Sequence, residues 1–84
     1  MISTNLLIQI LGWTGSVLYL LAYALVSAKK TAGDSLLYQG MNIFAGILLV
    51  IYTLYLVAYA TTGLNAVWIA IGLLTLGRKW LTRD

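Results

Sequence analysis

The chain has 84 residues, of which 62% are hydrophobic and 8% charged, with a formal net charge of +3. A soluble domain of this size could not bury so much apolar surface, because small domains have proportionally the most exposed area, so a membrane protein is indicated. The absence of Cys and His excludes thiolate chemistry, disulfides, the usual zinc sites and histidine acid–base catalysis.

The first apolar segment, residues 6–28, predicts a membrane-spanning helix. The residues before it carry no charged side chain, whereas Lys29 and Lys30 follow it directly. A cleaved signal peptide carries its charge before the apolar core, so we expect an uncleaved span with a translocated N-terminus. Gly12 and Ser16 form a small-xxx-small pair, which is typical of close helix packing.

Residues 29–35 form the only hydrophilic loop of any size, in which we expect Gly33 to supply turn freedom and Asp34 or Ser35 to cap the next helix. The second apolar segment, residues 36–60, contains no charge and no proline. Its polar residues recur at helical spacing and predict one polar face. A buried amide without a partner is costly, so this face should meet other protein or water rather than lipid.

Residues 61–63 predict a tight turn, and residues 64–81 predict a third span ending near Trp80 as an interfacial anchor. Three spans place the first loop and the C-terminus on the same side of the bilayer. All five cations then fall on that side: Lys29, Lys30, Arg78, Lys79 and Arg83. The positive-inside rule predicts an outside N-terminus and a cytoplasmic C-terminus for this single membrane domain, residues 1–84.

This plan of three helices, a short charged loop and then a tight turn resembles the SemiSWEET proteins of the PQ-loop superfamily, which are bacterial half-transporters that pair into a six-helix sugar facilitator. The resemblance covers about residues 9–80. Gly33–Ser35 corresponds to a similar step from loop to helix, and Asn65 corresponds to a substrate-contacting Asn early in helix three. The resemblance implies a bacterial inner-membrane protein that works as a homodimer.

The chain departs from that family at several positions. The Pro-Gln pair of helix one should fall near residues 21–23, but the chain has no proline. The sugar-stacking Trp of helix two corresponds to Leu49, and the charged outer gate after it is missing. Tyr38-Gln39-x-x-Asn42 and Asn65-x-x-Trp68 instead resemble a group of short bacterial three-helix membrane proteins that lack the Pro-Gln motif.

The polar side chains inside the spans can be ordered by depth, since alternate helices run in opposite directions. This predicts an inner cluster of Tyr23, Tyr38, Gln39 and Asn42, and an outer cluster of Tyr52, Asn65 and Trp68. The candidate substrate-binding residues are Asn65, Trp68, Asn42, Gln39, Tyr52 and Tyr23. Amides can bond the hydroxyls of a neutral polyol while aromatic rings cover its C–H faces. Asn42 and Asn65 should lie too far apart in depth to hold one small ligand, unless helix three begins earlier.

The sequence therefore predicts an all-α, three-helix membrane bundle that pairs with a second copy, because three helices cannot enclose a pathway. No Asp, Glu, Lys, Arg or His lies inside the apolar part of a span, so we expect passive transport of a small neutral solute such as a sugar. The alternative is a non-transporting interaction or structural protein whose amides only hold helices together. Uneven helix lengths argue against a designed bundle. We expect no enzymatic activity, cofactor, metal or nucleic-acid partner.

Overall fold

The computed structural model describes residues 3–82, and they form three helices in sequence. Helix α1 is Thr4–Ser27, α2 is Leu36–Tyr55 and α3 is Tyr59–Thr82, and each is long and apolar enough to cross a membrane. At about 1.5 Å per residue, α2 spans about 30 Å and the other two about 36 Å. These lengths match a hydrocarbon core about 30 Å thick, which α1 and α3 can cross with some tilt.

Two serines begin the first two helices. The Ser3 hydroxyl accepts a hydrogen bond from the Leu6 amide, and the Ser35 hydroxyl accepts one from the Tyr38 amide, each at 3.1 Å. Capping by Ser35 was one of the two predicted options. Gly33 lies in a turn of the loop but without a positive φ, and the left-handed residue that ends α1 is Lys29, with φ of 60°. The Lys30 amide then bonds back to the Leu25 carbonyl at 2.8 Å, which closes a Schellman-type end.

The second turn lies at residues 56–58, not at residues 61–63. The expected end of the second span near Ala60 and the expected start of the third at residue 64 are therefore wrong. The Ala58 amide bonds back to the Thr53 carbonyl at 2.8 Å, which ends α2 five residues early. The Thr53 and Thr62 hydroxyls share a hydrogen bond of 2.6 Å, so the threonines of the expected turn are instead used to pack α3 against α2.

Val57 occupies the left-handed position of this turn, with φ of 59°. A β-branched residue is strained there, because the left-handed conformation costs an L-residue roughly 1–2 kcal/mol. We expect Val57→Gly to raise the free energy of unfolding by about 0.5–1 kcal/mol, since glycine removes the strain but gains entropy in the unfolded chain. Equilibrium unfolding in mixed micelles measures this change in the free energy of unfolding. Leu56→Gly, at an ordinary helical φ, is the control and should destabilise.

Helix α2 lies between the other two, and α1 and α3 do not approach each other closely along their backbones. Four glycines allow α1 and α3 to pack closely on α2: Gly12 and Gly15 on α1, Gly46 on α2 and Gly72 on α3. A Cβ added at any of the four would lie 2.6–2.9 Å from an atom of a neighbouring helix. The small pair that packs α1 is thus Gly12 and Gly15, whereas Ser16 is exposed.

The described chain buries almost no large side chain, and its buried hydrophobic residues are Ala22 and Ala45. Large apolar side chains instead cover the outside of the bundle. This distribution suits a protein surrounded by lipid, where helices associate through close packing and polar contacts because lipid removes the hydrophobic drive between them. The bundle is 49 × 24 × 22 Å.

The charged residues gather at one end of the bundle, called here the basic end. The Lys79 ammonium lies 3.6 Å from the Asp34 carboxylate, so the loop after α1 and the end of α3 are neighbours. Lys29, Lys30, Arg78 and Lys79 all lie at this end, as predicted, and Arg83 lies outside the described residues. The opposite end carries the turn at residues 56–58.

Candidate functional site

Helices α1 and α3 both pack on α2, and residues of all three helices line a cleft. The cleft has a volume of about 440 Å³ and is partly open to the surroundings. It is called here the Asn42 cleft, and its lining is Tyr19, Tyr23, Tyr38, Asn42 and Trp68. Four aromatic rings thus surround a single amide.

The structure brings together three members of the predicted inner cluster: Tyr23, Tyr38 and Asn42. Trp68 joins them, so its predicted place in the outer cluster is wrong. The reason is the early start of α3 at Tyr59, which carries Trp68 five residues deeper than expected. Each residue adds about 1.5 Å along a helix, so the displacement is roughly 7 Å.

The Asn42 side chain makes no hydrogen bond to any described residue of its own chain. It is partly exposed and borders the Asn42 cleft. A primary amide at this depth in a bilayer cannot be left without partners, because an unsatisfied amide costs several kcal/mol in hydrocarbon. Its donors and acceptor are therefore available to water, a ligand or a second copy.

Asn65 is in the opposite situation, because both atoms of its amide are hydrogen-bonded within the chain. Its Oδ1 accepts a hydrogen bond from the Tyr19 hydroxyl at 3.0 Å, and its Nδ2 donates to the Thr61 carbonyl at 3.0 Å. Asn65 is 5% exposed. The bond joins α1 to α3 past Gly46 of α2, whose missing side chain leaves room for the Tyr19 hydroxyl. Asn65 thus positions one wall of the Asn42 cleft without lining it.

We expect Tyr19→Phe and Asn65→Leu to lower the free energy of unfolding, with a coupling of about 0.6–2 kcal/mol between them. Each substitution removes the same hydrogen bond, so the double variant should cost less than the two single costs combined. A double-mutant cycle in mixed micelles measures the coupling. Tyr23→Phe is the control, because no described residue bonds its hydroxyl. Additive effects of the pair would show that the bond contributes nothing.

The side chain of Gln39, on α2, lies against α3 and does not line the Asn42 cleft. Its Nε2 donates to the Gly33 carbonyl at 2.8 Å, which fastens the loop after α1 to α2. Its Oε1 lies 2.9 Å from the position that a Cβ on Gly72 would take, so the amide also fills the space beside α3. The role of Gln39 as a substrate contact stays a prediction, and the alternative of a helix-holding role also stays open.

Tyr52 lines two cavities that neither Asn65 nor Trp68 borders. It packs on Gly12 of α1, and the two small cavities lie nearer the opposite end. These cavities have volumes of about 150 and 240 Å³ and are bordered by polar residues that the sequence analysis did not select: Asn5, Gln9 and Ser16. Asn5 accepts a hydrogen bond from the Tyr55 hydroxyl at 3.0 Å, so it also joins α1 to α2.

One protein-family model, described only as a family, matches residues 8–83, which include most of α1 and all of α2 and α3. The chain belongs to that family. The matched range contains every residue that lines the Asn42 cleft. No curated protein and no solved structure matches the chain. The resemblance to SemiSWEETs and the PQ-loop superfamily stays a prediction.

Asn5 and Gln9, which the sequence prediction missed, continue a polar stripe on α1. Asn5, Gln9, Gly12, Ser16, Tyr19 and Tyr23 are spaced alternately four and three apart, so they form one face of the helix. All six line the Asn42 cleft or one of the two small cavities, and Tyr52 is shared by both small cavities. Extending the stripe back from Gly12 toward the N-terminus would have found Gln9 and Asn5. The polar side of the bundle thus runs along most of α1. Within residues 3–82 no cluster of side chains could hold a metal ion.

Proposed function

We propose that the chain is half of a homodimeric facilitator for a small neutral solute such as a sugar. The observation that carries the proposal is the unpaired amide of Asn42, set among aromatic rings in a cleft that one chain leaves open. Such a surface suits a ligand with hydroxyl groups and C–H faces, because the amide bonds the former and the rings cover the latter.

A second copy completes the pathway in this proposal. The Asn42 cleft is lined by residues of α1, α2 and α3 and is partly open to the surroundings. A partner related by a two-fold axis along the membrane normal would place its own cleft opposite and enclose one shared cavity. The small cavities beside Tyr52 would extend that cavity toward the opposite end of the bundle.

The residues that line the Asn42 cleft include no charged side chain, which favours a neutral solute and passive movement. The cations lie at the basic end, which we assign to the cytoplasm of a bacterial inner membrane, with the N-terminus outside. The chain has no cysteine, so single cysteines at Ser3 and Thr31 can report orientation in cells. Only the cysteine at Ser3 should react with an impermeant reagent in intact cells.

The alternative function is that of a membrane interaction or structural protein. Two of the six candidate residues favour it, since Asn65 uses both atoms of its amide and Gln39 uses its Nε2 in hydrogen bonds within one chain. In that case Asn42 would bond a partner protein across a dry contact, and no solute would cross.

Proteoliposomes loaded with a panel of labelled sugars and polyols test the proposal. We expect downhill uptake of at least one neutral solute that saturates with concentration and does not respond to a pH gradient. A charged sugar phosphate in the same panel is the control and should not enter. Absence of uptake across the panel, in protein shown to be folded and dimeric, would favour the interaction protein.

A further inference from the structure

A second cavity lies at the basic end, between the start of α2 and the end of α3. It is an almost entirely apolar groove of about 460 Å³, called here the Gly77 groove. Its lining is Leu36, Leu76, Gly77, Lys79 and Trp80. It shares no residue with the Asn42 cleft, so its occupant does not depend on the proposed transport.

A polar cavity of about 290 Å³ adjoins the groove, and Lys79 lines both. Arg78 and Asp34 also border this polar cavity, and Lys79 forms an ion pair with Asp34 at 3.6 Å. Both partners of that pair are about half exposed, so it is weak and open to competition by another anion. Two cations and one carboxylate leave one positive charge in excess, which matches the single negative charge of a phosphodiester.

We propose that the Gly77 groove and the adjoining polar cavity form a site for one anionic phospholipid. The apolar groove takes an acyl chain, and the phosphate lies against Arg78 and Lys79. Basic pockets between membrane helices near the headgroup level are suited to this class of lipid, because the chain and the charge are recognised together. The charge excess favours an anionic lipid over a zwitterionic one.

Gly77 makes the groove testable. A Cβ at this position would meet no atom within 4 Å, so a larger side chain can fill the groove without forcing the helices apart. Gly77→Leu should therefore displace the acyl chain while the helices stay packed. Gly63→Leu is the matched control, because Gly63 lies on the same helix at the other end with equally open space.

The role of the cations in the site can be tested with two double variants, one inside the site and one outside it as a control. Arg78→Gln with Lys79→Gln removes two cations from the site, and Lys29→Gln with Lys30→Gln removes two cations from the same end of the bundle but outside the groove. Each basic residue near an anionic lipid contributes about fivefold in affinity. The first pair of substitutions should lower retention of phosphatidylglycerol well beyond the second.

Native mass spectrometry of the delipidated protein with equal amounts of phosphatidylglycerol and phosphatidylcholine measures the site. We expect one retained phosphatidylglycerol, preferred about fivefold or more over phosphatidylcholine, and lost in Gly77→Leu but not in Gly63→Leu. Circular dichroism checks that each variant is helical. If the Gly77 variant does not fold, the proposal is still tested by the lipid preference of the unaltered chain and by comparing the two double charge variants.

Three outcomes would overturn the proposal. Equal retention of both lipids would show that the positive charge of the site does not select an anionic headgroup. Equal losses in the two pairs of charge variants would show unspecific attraction to the basic end. A change of oligomeric state in Gly77→Leu without loss of lipid would show that a second copy of the chain occupies the groove.

Discussion

Gly15→Leu should separate α1 from α2 and lower the free energy of unfolding by about 3 kcal/mol. A Cβ at Gly15 would lie 2.8 Å from the Leu49 side chain and 3.1 Å from the Ala45 carbonyl oxygen. The carbonyl belongs to the backbone of α2 and cannot move aside, so the helices must part. Overpacking of this kind costs about 1–3 kcal/mol in a tight contact, and a whole leucine side chain lies at the upper end.

Unfolding in mixed micelles and fluorescence energy transfer between the ends of α1 and α2 measure this effect. Gly40→Leu and Gly63→Leu are controls, because a Cβ at either position meets nothing within 4 Å. They should leave the stability and the helix spacing nearly unchanged. A Gly15 variant as stable as these two would mean that α1 does not pack on α2 in the membrane as described here.

Asn42→Leu should reduce solute uptake about tenfold or more while leaving the folded chain as stable as before. The reason is the unpaired amide: the substitution removes no hydrogen bond within the described chain. It does remove the only side-chain amide among the residues of the Asn42 cleft. A lost hydrogen bond to a bound solute costs about 1–2 kcal/mol, and tenfold corresponds to about 1.4 kcal/mol.

Initial uptake rates in proteoliposomes measure this prediction, beside the free energy of unfolding of each variant. Phe44→Leu, on an exposed side of the same helix, is the control and should transport normally. Asn42→Gln keeps an amide and should retain part of the activity. If Asn42→Leu instead dissociates the dimer and uptake was never present, the amide holds two copies together and the interaction protein is the better description.

The two asparagines show what could not be read from the chain. Asn42 and Asn65 have the same side chain, lie in apolar helices and were both predicted to contact substrate. The difference between them comes from a tyrosine on a third helix, because the Tyr19 hydroxyl reaches Asn65 and does not reach Asn42. No local pattern encodes that contact, since it depends on the relative rotation and depth of α1 and α3.

The position of the turn between α2 and α3 also depends on tertiary contacts that no local pattern encodes. Thr61, Thr62 and Gly63 are ordinary turn residues, and Val57 is a poor choice for a left-handed position. The chain nevertheless turns at Val57, because the Thr53–Thr62 hydrogen bond and the packing of α3 on α2 outweigh the local preference. This shift of five residues moved Trp68 into the Asn42 cleft.

The sequence by itself determined the class of protein, the number of spans and the gathering of the cations at one end. These follow from composition and periodicity, which are properties of each segment alone. Tertiary structure decided which amides are satisfied, which glycines are contact points and which aromatic rings share a cleft. Those outcomes depend on how three helices are rotated and shifted against each other, and in a bundle with so little buried side-chain volume a few close contacts set that register.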